Sequence, residues 1–172
     1  MKKTTVFLTG GTGNMGWAGF QELYKRKERF DIRLLARDSK KNHKMLDKYA
    51  DDPSVAVIWG DLTRYDDVLA GVTGSDYVLH VGGMVSPAAD YYPEKTLKVN
   101  VLAAENVVKA VQAQTNSDDI KVVYIGSVAQ YGDRNPPYHW GDVNEPQTPA
   151  KFDMYALSKI RSEEIFAKAG FR

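Results

Sequence analysis

Cysteine is absent from all 172 residues. Its absence excludes a disulfide scaffold, a thiolate nucleophile and a cysteine-ligated zinc, and suits a reducing compartment. An excess of one charge is also missing. With 23 basic and 22 acidic side chains the formal net charge is +1, so nothing electrostatic points to nucleic acid or an anionic membrane as partner. Long apolar runs are lacking as well. Lys2 and Lys3 precede the run Val6-Phe7-Leu8, which is too short for the core of a signal peptide. No stretch approaches the roughly 18–20 apolar residues that span a membrane. A cytoplasmic protein is the expectation. Histidines are scarce: His43 and His139 sit in polar surroundings, and His80 has no second ligand at metal-binding spacing, so no metal site is expected.

What is present is a regular alternation. A composition of 43% hydrophobic and 26% charged residues is that of one ordinary globular domain. Strands are predicted at 4–9, 31–37, 54–62, 76–83 and 121–127. Helices are predicted at 15–27, 39–50, 65–72, 93–114 and 154–169. Strands that are apolar throughout and separated by helices indicate an α/β fold, a doubly wound parallel sheet with helices on both faces. One long proline- and glycine-containing loop, 131–152, interrupts the pattern. Loops of that length tend to carry function.

The first strand runs directly into "TGGTGNMG" (9–16). In a strand–turn–helix context, Gly10 permits a tight turn, Gly13 lets the backbone approach a pyrophosphate and Gly16 lets the helix pack against the strand. The N–H groups of the helix N-terminus, over Asn14, Met15 and Gly16, would face the phosphates. A plain β–α turn is the alternative. At the end of the second strand, where an acid would bind the ribose hydroxyls of NAD, stands Arg37, followed by Asp38, Lys40 and Lys41. A guanidinium suits a 2′-phosphate, so NADP is favoured over NAD. Asp38 could still do the acid's work one residue late.

Tyr155 and Lys159 lie four residues apart on one predicted helix, hence on one face. An ammonium beside a phenol stabilises the phenolate, which makes the pair a candidate acid/base. Ser127 ends the fifth strand, where ligands bind in open α/β sheets, and its hydroxyl can donate to a substrate oxygen. A serine there can equally be a cap.

Together "TGGTGNMG", "SVAQYG" and "YALSK" resemble the extended short-chain dehydrogenase/reductase family, of the NAD-dependent epimerase/dehydratase type. The resemblance runs through the whole chain and implies a Rossmann-like fold. It gives Tyr155 the acid/base role, Lys159 the parts of electrostatic partner and holder of the nicotinamide ribose, and Ser127 that of orienting substrate. "GDL" resembles the family's pair beside the adenine, at Asp61 and Leu62. "LHVGG" resembles its segment passing the phosphates and ribose, at Val81, Gly82 and Gly83, where glycine for alanine leaves the backbone freer. Asn100 matches a helix asparagine beside the coenzyme. Tyr131, Tyr138 and Trp140 are candidates to border a substrate pocket, with packed or surface aromatics the alternative. The implied activity is hydride transfer at a hydroxyl or carbonyl of a small molecule such as a nucleotide sugar. Helices 93–114 and 154–169 carry apolar stripes, and the resemblance implies that such helices pair across a two-fold axis into a homodimer. By the same resemblance, a smaller substrate domain would follow where this chain ends. A non-catalytic dinucleotide-binding module, a redox sensor or regulator, is the other reading.

Overall fold

The computed structural model describes residues 2–133, 137, 141–142 and 144–171. Tyr138, His139 and Trp140 lie outside the described residues. Five strands form one parallel sheet: β1 (Thr4–Thr9), β2 (Phe30–Ala36), β3 (Val55–Trp59), β4 (Tyr77–His80) and β5 (Lys121–Tyr124), in the order β3-β2-β1-β4-β5. Leu8 pairs with Leu34 on one side and Leu79 on the other. The chain winds outward from β1 through β2 and β3, then returns to place β4 and β5 on the opposite side. The crevice at the C-terminal ends of β1 and β4 is therefore the switch point where such sheets bind ligands.

Two apolar clusters, one on each face, make this a doubly wound Rossmann-like domain. On one face Leu8, Ile32, Leu34 and Val55 pack with Phe20 of α1 (Asn14–Tyr24) and Leu46 of α2 (Lys40–Leu46). A short 3-10 turn, Asp47–Tyr49, carries Tyr49 into the same cluster, edge-on to Phe20 at 4.9 Å. On the other face Phe7, Leu35 and Val78 pack with Val68 and Val72 of α3 (Tyr65–Val72) and Val107, Ala110 and Val111 of α5 (Pro93–Gln112). Alternating side chains of a two-faced buried strand supply both clusters, which is why these strands read as continuous apolar runs.

A four-residue helix, α4 (Ala88–Tyr91), precedes α5, whose first turn begins with Pro93. Proline suits that position because its missing N–H would be unpaired there. The last helix, α6 (Met154–Ala169), packs on α5. It begins where the Asp153 carboxylate accepts from Ala156 N–H at 2.8 Å, and it ends at Gly170 with φ of 70°. Both are the end signals expected of a helix.

β1 matches its predicted bounds and β2 is shifted by one residue, but β3, β4 and β5 are shorter than predicted. Pairing of β4 stops at His80 and that of β5 at Tyr124, so Val81–Gly83 and Gly126–Ser127 lie in the turns beyond the sheet. The second helix is likewise shorter than its pattern, giving way to the 3-10 turn.

Candidate active site

The glycine turn is built by contact as well as by conformation. Gly10 has φ of +72°, and a Cβ there would lie 2.6 Å from Gly82 Cα. A side chain is thus excluded twice, by the left-handed backbone and by the neighbouring turn. A Cβ at Gly16 would strike the Gly10 carbonyl oxygen. Thr9 closes the arrangement: its hydroxyl accepts from Gly82 N–H at 3.0 Å and lies 2.9 Å from His80 Nδ1. His80 is enclosed, and burial, with Lys159 nearby, pushes its imidazole down to about 3. It is a neutral support of the β1–β4 crevice. Among the described residues no three His, Cys, Asp or Glu side chains are gathered to hold a metal.

Gly13 is the N-cap of α1, exposed and without a side-chain cap. Asn14 and Met15 are exposed beside it. The first-turn N–H groups of a helix have no intrahelical acceptor, and here no capping side chain supplies one. A cleared glycine turn below open N–H donors fits the diphosphate of a dinucleotide.

Leu62 is held in place from α5, where Asn106 Nδ2 donates to its carbonyl at 2.9 Å. Asp61 Oδ1 accepts from the Thr63 N–H at 2.8 Å and hydroxyl at 2.7 Å. Burial alone would raise the Asp61 carboxyl, but these bonds and the nearby Arg37 and Arg64 outweigh it and hold the group below its ordinary value. Arg37 is exposed at the end of β2, and its carbonyl accepts from Asn42 Nδ2 at 2.7 Å. Asp38 lies 3.0 Å from His43 Nε2.

Asn100 is fully used by the protein itself. Its Oδ1 accepts from Met84 N–H at 2.7 Å, while Nδ2 donates to Met84 O at 3.0 Å and Ser158 Oγ at 2.9 Å. It therefore ties the turn after β4 to α5 and α6. A Cβ at Gly83 would come within 2.9 Å of Asn100 Oδ1. Glycine there allows the close approach of Asn100, which corrects the expectation of a merely freer backbone.

Lys159 is 6% exposed. Its ammonium donates to Ile125 O at 2.8 Å and lies 4.9 Å from the Tyr124 ring centre and 5.9 Å from that of Tyr155. Burial pushes the amine down to about 8. Two residues beyond Ile125, Ser127 caps the 3-10 turn Val128–Tyr131: its Oγ accepts from Ala129 N–H at 3.3 Å, and Gln130 Oε1 accepts from Ser127 N–H at 2.7 Å. The serine is indeed a cap. As an acceptor in that bond its hydroxyl keeps a hydrogen to donate. Gln130 is in turn held by Glu163 of α6. Tyr131 is half-buried, and its carbonyl accepts from the Thr148 hydroxyl at 3.2 Å.

Sequence reasoning missed Asn106 and Gln130 as supports of the site. Asparagine six residues after Asn100 and followed by Val107 and Val108 was a readable signal. Gln130 completes a Ser-x-x-Gln capping box, which was legible too.

The fold and these turns define a doubly wound Rossmann-like domain with its strand ends arranged around one crevice. The sequence model of the NAD dependent epimerase/dehydratase family matches residues 6–170, and the chain belongs to that family. Over 110 residues it is 33% identical to a UDP-glucose 4-epimerase of Rickettsia bellii, covering 62% of this chain and 32% of the relative. A UDP-glucose 4-epimerase of Rickettsia felis is 34% identical over 110 residues, with the same coverage, 62% and 32%. The structure is similar to that of the UDP-Glc/GlcNAc 4-epimerase from Campylobacter jejuni, with a TM-score of 0.80 at 21% identity, covering 97% of this chain and 49% of that one. It also resembles the Bordetella bronchiseptica enzyme WbmH in complex with NAD+, with a TM-score of 0.79 at 22% identity, covering 99% and 54%. The chain thus spans about a third of the length of these curated relatives and about half of these solved ones. No helix among the described residues is long and apolar enough to cross a membrane.

Proposed function

We propose that this chain is the coenzyme-binding and proton-transfer portion of an NAD(P)-dependent epimerase, dehydratase or reductase acting on a hydroxyl or carbonyl group of a nucleotide sugar. The observation that carries the reading is the buried Lys159 amine, set between the Tyr155 ring and the end of β5. The turn formed by Gly10, Gly13 and Gly16, with the N–H groups of Asn14 and Met15, would hold the diphosphate. Asp61 and Leu62 would border the adenine, while Val81, Gly82 and Gly83, backed by Asn100, would border the phosphates and ribose. When bound, the nicotinamide supplies or takes the hydride.

The chain's own residues move the proton. Tyr155 gives it to, or takes it from, the substrate oxygen. Lys159 holds positive charge beside the phenol, favouring its ionised form, and faces the nicotinamide ribose. The Ser127 hydroxyl, fixed by its cap, donates to the same substrate oxygen and stabilises negative charge there. Nucleotide sugar as substrate class rests on the named activities of the relatives, and a homodimer through the α5–α6 face rests on the family resemblance.

NADP is the coenzyme this reading favours, because Arg37 is exposed at the end of β2 while Asp38 is engaged with His43. WbmH holds NAD+, so the preference stands on residues of this chain alone. Tyr155→Phe in the complete enzyme is the test. Turnover should fall by at least a thousandfold, the scale of general acid–base loss plus misplaced charge, with coenzyme affinity unchanged. Turnover at the wild-type rate would remove Tyr155 from the mechanism.

A further inference from the structure

Side chains at the end of β2 alternate between the two faces of the sheet. Leu35 joins the cluster under α3 and α5, and Ala36 the one under α1 and α2. The alternation carries past the strand: the Arg37 charge acts on Asp61, whereas Asp38 meets His43 on the α2 side, at 3.0 Å. His43 is gripped on three sides. Its Nε2 faces Asp38, its Nδ1 lies 3.2 Å from Asp47 Oδ1, and its ring stacks on Trp59 of β3 with centres 3.9 Å apart. The charged groups acting on it are the carboxylate of the β2–α2 turn and that of the 3-10 turn after α2. The bond to Asp38 raises the imidazole above its ordinary value, burial opposes this, and Asp47 adds to the rise.

We propose that His43 is a specificity-determining positioning residue for the coenzyme: it draws the Asp38 carboxylate away from the ribose beside Arg37 and offsets its charge, so that a 2′-phosphate is accepted there. The inference rests on the reading of Arg37 as the 2′-phosphate residue. Without His43, a carboxylate next to Arg37 would be free to bind a ribose diol and repel a phosphate. Protonated, His43 leaves the cluster with Asp38 and Asp47 at one net negative charge; neutral, it leaves two. Discrimination in favour of NADP should therefore be aided at low pH and lose that aid as pH rises through the raised His43 value.

The test measures NADP+ and NAD+ dissociation constants by tryptophan fluorescence, from about pH 5.5 to about pH 9, for wild type, His43→Gln, Asp38→Asn and Arg37→Ala. Ionisation of the 2′-phosphate is common to all four proteins and cancels when their selectivities are divided. Near pH 5.5 wild type should exceed His43→Gln in NADP+ over NAD+ selectivity by about threefold, the scale of one partly screened charge. Near pH 9 the two should coincide, while Asp38→Asn exceeds wild type by about threefold. Superimposed wild-type and His43→Gln profiles, or weaker NAD+ binding in Asp38→Asn, would overturn the proposal. If selectivity is present and lost in Arg37→Ala while those profiles superimpose, only His43 has lost its role. If no protein selects NADP+ and Arg37→Ala changes nothing, the Arg37 reading fails and takes this one with it.

Discussion

Replacing Lys159 with methionine should make the coenzyme-free protein more stable at neutral pH while removing the charge that the proposed proton transfer needs. Burial lowers the amine from its ordinary 10.5 to about 8, which corresponds to about 3 kcal/mol against the folded state while the proton is on. Methionine is similar in length, fits the apolar stem's place beside Tyr124, and carries no charge to desolvate. Against that gain, Ile125 O loses the donor that reaches it at 2.8 Å, a cost of about 1 kcal/mol. The net expectation is about 2 kcal/mol of added stability at pH 7. Its pH dependence is the sharper signature. Below about pH 8 the folded and unfolded wild-type chains both hold the lysine proton, so the penalty is present in full. Between about 8 and 10.5 the folded chain releases the proton first, binds fewer protons than the unfolded chain, and gains stability with rising pH. The variant has no such gain, so its advantage should vanish by about pH 10. Urea unfolding of both proteins near pH 7 and pH 10 reads this directly. A variant less stable at pH 7, or a difference that ignores pH, would refute the account of Lys159 as a buried, desolvated cation.

Two substitutions test the framework around the site. Asn100→Ala removes three bonds, two to the half-buried Met84 backbone and one to the buried Ser158 hydroxyl; unfolding should show a loss of about 2–4 kcal/mol, with weaker coenzyme binding by fluorescence titration as the turn after β4 loosens. Gly71→Ala places a methyl group into the buried Phe7 ring from α3; the expected loss is about 1–3 kcal/mol by urea unfolding, with coenzyme affinity unchanged because the clash lies away from the crevice.

The alternation of strands and helices was legible because each element carries its own period and its own punctuation. Gly10 at a positive φ, Asp153 as a cap and Gly170 as a stop are chemical signals of local conformation, and local conformation is what a sequence states most directly. The C-terminal ends of β3, β4 and β5 were not legible. β4 stops at His80 because its partners stop there, and the apolar residues beyond it gave no hint of that. Side-chain direction past a strand end is likewise settled by neighbours. Arg37 and Asp38 are adjacent in sequence, yet one acts on Asp61 across the α3 side and the other is taken up by His43 from α2. Nothing short of the β2–β3 register, which brings Trp59 under the imidazole, assigns them different tasks.

Lys159 makes the same point for the candidate site. Spacing placed it on one helical face with Tyr155, and that much is geometry. Its depressed basicity is a property of burial, and burial comes from three separate pieces of chain: the end of β5 with the Tyr124 ring and Ile125, α6 itself, and α5, which Asn100 and Ser158 bind to α6. A lysine in the same Tyr-x-x-x-Lys spacing on an exposed helix would keep its charge in water and its ordinary value, and would do nothing to the phenol at neutral pH that salt could not screen. The motif becomes chemistry only where the fold removes solvent from one of its two residues.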